Sequence, residues 1–505
     1  MSGSDRTAAP AQVDEGVAVA LLDATAWVGK IFVGGRWVDG AAGSAPVVEP
    51  ATGAVLARHG LAGPDDVRDA VSSAVGAQRA WAALPHPERA AVLRRAGDLF
   101  RQHADEIVEW NVREVGAVRP MADFAVGVAV QECYEASALP SRPYGELIPS
   151  DQPRLSLGRR VPAGVVAVIS PFNVPIILGI RSVAPALALG NAVLLKPDPR
   201  TAVVGGVVLA RVLEEAGLPA GVLQVLPGGA DVGEAMITAP AVRVVSFTGS
   251  TTVGRRIGEL AGKHLKRAHL ELGGNSALVV LPDADVDRAV NLAAWGSFLH
   301  QGQICMTTGR HVVHRSLYDE FVAKLAATAS GLPVGDPFRE EVALGPVIDA
   351  GQRDRIHHLV QATRAGGATV AAGGEYDGLF YRPTVVADVA RDAPAFAEEV
   401  FGPVAPVTRF DTDDEALAVV ADSPYGLSLG IVTQDVMRGL ALAERLPTGI
   451  VHINDQTVND EANIPFGGVG VSGTGSRLGG AAANVEAFTE TQWVTLRSQP
   501  PRYPF

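Results

Sequence analysis

The sequence predicts an α/β protein with doubly wound, mostly parallel sheets, and three observations support this prediction. Short segments rich in Val, Leu and Ala alternate along the chain with segments whose apolar residues recur at helical spacing. Hydrophobic residues make up 47% of the 505 residues but aromatic residues only 6%, which favours close-packed α/β layers over an aromatic-rich β-sandwich. The long apolar stretch at residues 161–195 is interrupted by Pro171, Pro175 and Pro185, so it predicts a β-α-β unit rather than a membrane helix.

The elements of the first half follow one another in a regular order. The helical period is strong at residues 65–84 and 88–116, which predicts helices packed alongside a sheet. Further along, the pattern predicts a strand at 165–170, a loop at 171–175, a short helix, a strand at 192–196, a helix at 201–217, a strand and turn at 221–228, a strand at 242–250, a helix at 251–263 and a strand pair around a Gly-Gly turn at 267–281. Strands that alternate with helices in this way predict a parallel sheet.

A second α/β domain is predicted after residue 305. Its elements are helices at 317–330, 351–367 and 414–423 and a strand at 426–434. The tail at 487–505 alternates Thr, Val and Trp before it ends in prolines, which predicts an edge strand that could pair with another subunit. The polar, acidic N-terminus predicts a disordered leader at 1–24 and lacks the pattern of a secretory signal.

Charge and cysteine content argue against several classes of function. The formal net charge is −13 without any basic block, which is not typical of a protein that binds nucleic acid or an anionic membrane. The only two cysteines, Cys133 and Cys305, indicate a reduced, cytoplasmic compartment rather than a disulfide framework. The histidines are scattered without zinc-type Cys/His spacing, so we expect no metal site.

Two side chains are candidates for covalent chemistry. Cys305 follows a Gln-Gly-Gln run that does not suit a packed core helix, and a thiol becomes a nucleophile when exposure and nearby dipoles favour the thiolate. Taken alone, Cys305 is also explained as a buried structural cysteine. Glu271 stands among apolar residues ahead of two glycines, where a buried carboxylate would suit a general base, although a surface position at a strand end also explains it.

Two loops are candidates for ligand binding. Asn173 lies in a proline-bracketed loop directly after a predicted strand, at the edge of the sheet where α/β proteins bind ligands. Thr248, Gly249 and Ser250 join a strand to a helix, and the N–H groups at a helix start suit a phosphate. A turn asparagine and a simple helix cap are the structural alternatives.

The order of short motifs is more specific than any of them alone. PFN, LLKPDPRTA, FTGST, LELGGN, QGQIC, EEVFGP and IPFGG occur in this order, and together they resemble the NAD(P)-dependent aldehyde dehydrogenase superfamily from about residue 27 onward. Within it, FLHQGQICM and LKPDPRTA most resemble the benzaldehyde and vanillin dehydrogenases of aromatic catabolism.

The resemblance implies a fold of two doubly wound α/β domains and a small β flap. It places a dinucleotide-binding domain at 25–137 and 159–272, a catalytic domain at 273–484 and an oligomerisation flap at 138–158 and 485–505. The flap implies a homodimer or homotetramer.

The resemblance also implies a mechanism and a set of site residues. Cys305 would attack the aldehyde carbon, the Asn173 side chain and the Cys305 N–H would stabilise the oxyanion, hydride would pass to NAD(P)⁺, and Glu271 would activate water to hydrolyse the thioester. The implied cofactor contacts are Ser170, Pro171, Phe172, Lys196 (adenosine ribose), Arg200, Gly229, Thr248, Gly249 and Ser250 (pyrophosphate), Leu272, Glu399 (nicotinamide ribose) and Phe401 (nicotinamide ring). The implied substrate pocket is formed by Val174, Ile177, Leu178, Arg181, Ile304 and Phe466.

Three residues depart from common family patterns and leave specificity open. Pro199 replaces the glutamate of many NAD-preferring members, and Arg200 beside it could attract a 2′-phosphate, so we expect use of both NAD and NADP. Phe172 replaces a common tryptophan. Arg181 also replaces a tryptophan, as it does in succinate-semialdehyde dehydrogenases, whereas the apolar pocket favours an aromatic aldehyde.

Three rival classes remain to be compared. Relatives that transfer the acyl group to coenzyme A commonly lack the base carboxylate, which is present here as Glu271. A non-catalytic NAD(P)-binding scaffold would be free to lose Cys305, and a cofactor-free thiol hydrolase would have no use for Lys196 or Glu399.

Overall fold

The computed structural model describes residues 20–505, which form three main sheets surrounded by helices. The strands are β1 (Lys30–Val33), β2 (Arg36–Asp39), β3 (Ser44–Val48), β4 (Val55–Gly60), β5 (Gly145–Leu147), β6 (Leu155–Pro162), β7 (Val165–Ile169), β8 (Ala192–Lys196), β9 (Leu223–Val225), β10 (Val242–Thr248), β11 (Arg267–Glu271), β12 (Ser276–Val280), β13 (Thr308–His314), β14 (Thr369–Ala372), β15 (Thr384–Ala387), β16 (Val404–Phe410), β17 (Ser428–Val432), β18 (Ile450–Ile453) and β19 (Thr489–Leu496). Two further pairs of two-residue strands join Tyr376–Asp377 to Phe380–Tyr381 and Tyr425–Gly426 to Val469–Gly470.

The helices lie mainly on the two faces of the large sheets. They are α1 (Ala24–Trp27), α2 (Pro64–Ala83), α3 (His86–Gln102), α4 (Ala104–Trp110), α5 (Arg119–Ala138), α6 (Pro175–Ala188), α7 (Val208–Glu215), α8 (Ala230–Thr238), α9 (Thr251–Lys263), α10 (Val286–Phe298), α11 (Arg315–Gly331), α12 (Ala350–Ala365), α13 (Pro394–Ala397), α14 (Asp413–Ala421), α15 (Val436–Ala443) and α16 (Ala481–Phe488).

The first sheet has the strand order β11-β10-β7-β8-β9-β1-β2, and its five strands from β11 to β9 are parallel. Successive residues of β7 point to opposite faces, so Val166 and Val168 enter one apolar cluster and Val165 and Ala167 enter another. Because both faces are covered, every residue of β7 and β8 is buried. The chain turns to the other side of β7 after β9, which places the topological switch point between β7 and β10.

The second sheet has the order β14-β15-β16-β13-β12-β17-β18 and is parallel except for β14. Its faces are also covered by two clusters, with Leu278 and Val280 on one side and Ala277 and Val279 on the other. The predicted doubly wound α/β architecture is therefore confirmed for both large sheets. The boundaries proposed between domains stay a prediction.

The segment 267–281 corrects one prediction. Its two strands were expected to pair around the Gly-Gly turn, but β11 is the edge strand of the first sheet and β12 is central in the second. Leu272–Asn275 therefore crosses between the sheets instead of forming a hairpin. The apolar pattern predicts two buried strands but not which neighbours they pair with, because burial on both faces looks the same in either sheet.

Two of the predicted helices are interrupted. The segment 88–116 breaks at His103 and ends in a π-helix over Asn111–Val115. The segment 201–217 is divided into a 3₁₀ turn at Pro199–Thr201, a π-helix at Val203–Val207 and α7. The two π-helices meet where the buried Glu114 carboxylate accepts the backbone N–H groups of Val203 and Val204, at 2.9 and 2.7 Å. This contact joins residues 89 and 90 positions apart, so local periodicity could not predict it.

The third sheet has the order β19-β6-β5, and the C-terminal β19 is an edge strand, as its alternating pattern predicts. Eight residue pairs join β19 to β6, from Thr489 and Pro162 to Leu496 and Leu155. Part of the predicted leader, residues 1–19, lies outside the described residues. Within the rest of it, Leu21 and Leu22 are buried, and their N–H groups donate to Glu106, so the ordered chain begins earlier than predicted. Within residues 20–505 no helix is both long and apolar enough to cross a membrane.

Candidate active site

The site lies where the carboxyl edge of the first sheet meets the amino edge of the second. Asn173 follows β7 and Glu271 ends β11, so both belong to the first sheet. Cys305 precedes β13, and Glu399 precedes β16, so both belong to the second. The sequence predicted each of these residues but not that the second sheet would contribute its amino edge.

Cys305 occupies a tight turn between the 3₁₀ segment Leu299–Gly302 and β13, with the Thr307 N–H donating to the Ile304 carbonyl at 3.0 Å. The preceding residues His300 and Gln301 both have positive φ, at 53° and 57°. These strained conformations persist because the surroundings hold the segment in place.

The first glutamine of the Gln-Gly-Gln run, Gln301, holds the loop in place through buried hydrogen bonds. Gln301 is buried and its Nε2 donates to the carbonyls of Gly116 at 2.7 Å and Pro346 at 2.8 Å. The loop before Cys305 is therefore tied to both halves of the molecule. The sequence showed that this run does not suit a helix, but its distant partners gave no local signal.

Asn173 is held against the same loop from the opposite side. Its side-chain Nδ2 donates to the backbone carbonyl of Gln303 at 2.9 Å. Its backbone carbonyl accepts a hydrogen bond from His300 Nε2 at 2.7 Å. An amide nitrogen carries two hydrogens, so one N–H of Asn173 remains for a ligand. The Cys305 N–H likewise has no acceptor within the described part of the chain. Two donors thus converge near the thiol.

Glu271 is buried, and neither of its carboxylate oxygens has a hydrogen-bond partner among residues 20–505. Burial raises its pKa well above the usual value, against the opposing effects of Arg477 and of the nearby Gly468 backbone N–H, which lies outside hydrogen-bond geometry. The alternative of a surface glutamate is therefore wrong. A Cβ on Gly467 would lie 2.7 Å from Glu271 Oε1, so the glycine of the IPFGG motif leaves the space that this carboxylate fills.

The two glycines that follow Glu271 are required by close contacts across the site. A Cβ on Gly273 would overlap the Glu399 carboxylate, and one on Gly274 would overlap the carbonyl oxygen of Cys305. The Gly274 N–H donates to Glu399 Oε1 at 3.0 Å. The crossing segment therefore fits between the two second-sheet residues and sets their distance from Glu271.

The electrostatics of the site favour uncharged groups. Cys305 as a residue is partly exposed, but desolvation of its thiol, with contributions from Glu399 and Glu271, raises the pKa of that thiol to about 12. Burial also raises the pKa of Glu399 to about 7. Cys305 is therefore a thiol at neutral pH until a base or ligand changes its surroundings.

A pocket of about 680 Å³ opens above Cys305 and Asn173. All six residues predicted for the substrate pocket line it, namely Val174, Ile177, Leu178, Arg181, Ile304 and Phe466. Sequence reasoning missed a second wall formed by α10, where Asn291, Ala294, Trp295 and Phe298 line the pocket at helical spacing. That spacing was present in the sequence, but nothing local showed that this face of the helix would meet the pocket.

Arg181 is 3% exposed and lies between two carboxylates. Its Nε donates to Glu132 at 2.7 Å, and its Nη2 donates to Asp460 at 2.7 Å. Burial alone would lower the pKa of Arg181, but the two carboxylates raise it above the ordinary value, so the guanidinium stays charged. Its Cζ lies 5.3 Å from the Phe466 ring centroid. The positive charge is thus already compensated within the protein.

The residues predicted to bind a cofactor gather at the carboxyl edge of the first sheet. Ser170 is buried, and its Oγ has no hydrogen-bond partner in the described chain. Lys196 is buried, which lowers its pKa against the influence of Asp198 and Asp231. Gly229 is the N-cap of α8, which begins beside this edge. These groups leave polar atoms free for a ligand.

The strand-to-helix turn after β10 completes this edge. Thr248 ends β10, the Gly249 N–H donates to the Glu271 carbonyl at 3.0 Å, and Ser250 caps α9 by accepting the Val253 N–H at 3.4 Å. The predicted helix cap is thus present, and the N-terminus of α9 still points its dipole at the edge. Leu272 is buried against Gly254 of α9.

Aromatic and charged groups close the groove between the two sheets. Phe172 packs edge-on against Phe401 with ring centroids 5.9 Å apart, and Pro171 precedes it in the same loop. Arg200 lies over Phe172, 4.1 Å from the ring centroid, and forms ion pairs with Asp198 and Asp349. Arg200 was predicted to attract a 2′-phosphate, but its charge is already paired.

Comparison with known proteins gives consistent results over nearly the whole chain. The sequence model of the aldehyde dehydrogenase family matches residues 37–494. A vanillin dehydrogenase of Amycolatopsis sp. is 65% identical over 96% of this chain and 100% of its own length. A benzaldehyde dehydrogenase [NAD(+)] of Pseudomonas putida is 50% identical over 95% of this chain and 98% of its own. The crystal structure of a salicylaldehyde dehydrogenase from Pseudomonas putida G7, complexed with salicylaldehyde, superposes with a TM-score of 0.91 at 36% identity, covering 94% of this chain and 99% of that one.

Proposed function

Because the chain belongs to the aldehyde dehydrogenase family, we propose that it oxidises a benzaldehyde- or vanillin-like aromatic aldehyde to the carboxylic acid, with NAD(P)⁺ as hydride acceptor. The observation that carries this proposal is the apolar pocket of about 680 Å³ with a cysteine at its floor and two N–H donors beside it. Relatives named for vanillin and for benzaldehyde support the same substrate class.

The pocket lining supports an aryl substrate. Val174, Ile177 and Leu178 of the α6 region line the pocket together with Phe298 and Phe466. Burying an aromatic ring among such side chains is favourable at about 25 cal/mol per Å² of apolar surface, whereas an aliphatic carboxylate would lose its hydration there.

Succinate semialdehyde is the alternative substrate, and the surroundings of Arg181 count against it. Glu132 and Asp460 already compensate this guanidinium, so a substrate carboxylate would meet two carboxylates for one positive charge. One nitrogen, Nη1, has no partner in the described chain and can donate to a neutral oxygen on an aromatic ring.

In the proposed mechanism, the S–H bond of Cys305 breaks and its proton passes to water, while Sγ forms a bond to the aldehyde carbon and the carbonyl electrons move to oxygen. The free N–H of Asn173 and the Cys305 N–H donate to the resulting oxyanion, which is the charge that develops in the transition state. The carbonyl re-forms as the C–H bond breaks, leaving a thioester on Cys305. Bound NAD(P)⁺ supplies the acceptor for the hydride.

Hydrolysis of the thioester requires a base, and we assign this role to Glu271. Burial raises its pKa, which makes this carboxylate a stronger base than an exposed glutamate. Glu271 accepts a proton from water as the water oxygen attacks the acyl carbon. The C–S bond then breaks and returns the Cys305 thiolate, which completes a two-electron oxidation of the aldehyde.

The cofactor edge fits a dinucleotide. The unpartnered Ser170 Oγ and the buried Lys196 would hold an adenosine ribose, and the N-termini of α8 and α9 would face the pyrophosphate. Glu399, fixed by the Gly274 N–H, would accept from the nicotinamide ribose.

We further propose a homodimer or homotetramer located in the cytoplasm. The third sheet exposes Leu147 (73%), Leu155 (50%), Trp493 (64%) and Leu496 (50%), which supports its burial against another subunit. Two free cysteines and no disulfide within the described residues are typical of a reducing compartment.

The test follows reduced-cofactor absorbance with benzaldehyde, vanillin and succinate semialdehyde, each with NAD⁺ and NADP⁺. We expect kcat/KM to be at least about tenfold higher for the aromatic aldehydes. A preference for the semialdehyde would contradict the aromatic assignment, and no reduction in any mixture would contradict aldehyde oxidation. The product should be the free acid with or without coenzyme A, whereas an acyl-coenzyme A product would indicate acyl transfer.

A further inference from the structure

One ion-pair cluster joins the two α/β units beside the groove between them. Arg200 belongs to the turn after β8 of the first sheet, and Asp349 is the N-cap of α12 beside the second. Arg200 Nε and Nη2 donate to the two oxygens of Asp198 at 2.9 and 2.8 Å, and Nη1 donates to Asp349 Oδ2 at 2.7 Å. All three guanidinium nitrogens are therefore engaged, and two carboxylates surround the one positive charge.

The same guanidinium also positions the aromatic residues of the groove. The Cζ of Arg200 lies over the Phe172 ring, 4.1 Å from its centroid, and Phe172 packs edge-on against Phe401. Phe401 holds a positive φ of 53°, an unusual conformation for a phenylalanine. This backbone conformation of Phe401 persists because contacts with neighbouring residues stabilise it.

Gln352 supplies one of these contacts and connects Phe401 to Asp349. Its Nε2 donates to the Phe401 carbonyl at 2.7 Å, and its backbone N–H donates to Asp349 Oδ1 at 2.8 Å. Asp349 therefore accepts from Arg200 with one oxygen and from the helix that positions Phe401 with the other. A change at Arg200 would reach Phe401 along two routes, through Phe172 and through Asp349.

We propose that Asp198, Arg200 and Asp349 form a bridge that holds Phe172 and Phe401 as walls of the dinucleotide groove, and that Arg200 is not a ligand of a 2′-phosphate. Arg200 is then a positioning residue for NAD⁺ and NADP⁺ alike. This inference rests on the proposed function in that it takes the groove to bind a nicotinamide dinucleotide. A preformed groove lowers the ordering cost of binding, so losing the bridge should weaken both dinucleotides.

The test measures direct binding of NAD⁺ and of NADP⁺ to the full-length protein by calorimetric titration. We expect Arg200→Gln and Asp349→Asn each to raise both Kd values by a similar factor, about tenfold. Arg200→Lys should restore only part of the affinity, because lysine lacks the planar fork that bonds two carboxylates and stacks on the ring. The KM for the cofactor should rise by a similar factor for NAD⁺ and NADP⁺ in both variants.

Two outcomes would overturn the bridge. If Arg200→Gln weakened NADP⁺ alone, or if Asp349→Asn tightened NADP⁺ by freeing the guanidinium, Arg200 would be a phosphate ligand. If neither variant changed either Kd, the ion pairs would have no role in binding. Arg315→Gln is the matched control, since it removes an exposed arginine that pairs with Asp411 away from the groove and should leave both Kd values unchanged.

The benzaldehyde assay on the unaltered protein separates this inference from the proposed function. Dinucleotide binding with the expected variant effects, but without aldehyde oxidation, would contradict the function and retain the bridge. Aldehyde oxidation with selective loss of NADP⁺ binding in Arg200→Gln would contradict the bridge and retain the function.

Discussion

At the scale of single residues, the environment of Cys305 opposes the charge that its proposed chemistry needs. Burial and the neighbouring Glu399 and Glu271 carboxylates disfavour the thiolate, while burial also disfavours the ionised form of Glu271. The resting Cys305 is therefore an uncharged, weakly reactive thiol. Such a thiol is protected from unwanted oxidation until substrate and cofactor complete the site.

The first prediction concerns alkylation of the cofactor-free protein. Because the thiolate reacts and the thiol pKa is raised to about 12, the rate of inactivation by iodoacetamide should rise about tenfold per pH unit without levelling off below roughly pH 10. Glu271→Gln removes one nearby carboxylate and should move this rise to lower pH. Cys133→Ser, at a fully buried cysteine, should change nothing. A plateau near neutral pH would show that Cys305 is an activated thiolate.

The second prediction concerns the two chemical steps. Glu271→Gln cannot accept a proton from water, so thioester hydrolysis should become slower than hydride transfer. Rapid mixing should then show a burst of about one reduced cofactor per active site, followed by a steady rate at least about a hundredfold lower than that of the parent. An unchanged steady rate would contradict the role of Glu271 as base. Cys305→Ala should abolish the burst while cofactor binding is retained.

The sequence could select Cys305, Asn173 and Glu271 as candidates because each stands in a short motif whose order is specific. It could not predict the partners of Arg181, since Glu132 and Asp460 lie 49 and 279 residues away and belong to no motif. Pairing with distant carboxylates changes Arg181 from a free anchor into a compensated charge. Its residue type alone did not contain that information.

At the scale of elements, the crossing segment Leu272–Asn275 controls the geometry of the site. It leaves the first sheet at Glu271, contacts Glu399 and Cys305 through two glycines, and enters the second sheet at β12. A side chain on either glycine would push the two sheets apart at the point where their functional residues meet.

The third prediction tests this contact. Gly274→Ala should lower kcat/KM by about a hundredfold or more, because the new Cβ overlaps the Cys305 carbonyl and misplacing a nucleophile by about 1 Å costs that much. Gly127→Ala is the matched control, since its Cβ would meet nothing within 4 Å on α5 and should stabilise the helix by up to about 1 kcal/mol. Equal activity in both variants would show that the segment adapts.

The boundaries of an element were predictable where the capping residue and the spacing of the apolar residues indicate the same start and end. The helix expected at 251–263 is α9 (Thr251–Lys263), because Ser250 caps its start and its apolar face keeps helical spacing. The region 199–215 was not predictable in detail, because Glu114 from another helix binds its backbone and favours π-helical turns. The predicted pairing of the strands on either side of residues 272–275 was wrong for a related reason, since only tertiary packing decides which sheet a buried strand joins.

At the scale of the whole molecule, the third sheet extends beyond the packed layers. It consists of β5, β6 and the C-terminal β19, and several large apolar side chains on it face outwards. One chain alone leaves this apolar surface in water, which is unfavourable. Burial against another copy would remove that cost.

The fourth prediction follows for assembly. Leu496→Glu should shift the mass measured by light scattering towards the monomer, because the register of β19 with β6 and β5 places Leu496 on the same exposed face as Leu155 and Leu147, and the substitution removes no backbone pairing. A truncation after Phe488 should have the stronger effect, since it deletes β19 entirely. Leu265→Glu, at a residue 90% exposed outside this sheet, should leave the mass unchanged. A monomeric parent protein would contradict the proposed oligomer.

The passage of Leu272–Asn275 from one sheet to the other has a consequence for recombination between relatives. A gene chimaera joined within these residues would take Glu271, the proposed base, from one parent and Cys305, the proposed nucleophile, from the other. The joint itself would lie between Glu271 and the loop of Cys305, where there is no room for an added methyl group. Exchange of whole halves at this joint should therefore give active enzyme only when both parents carry the two glycines. The sequence at positions 272–275 would then decide which pairs of relatives can be recombined here.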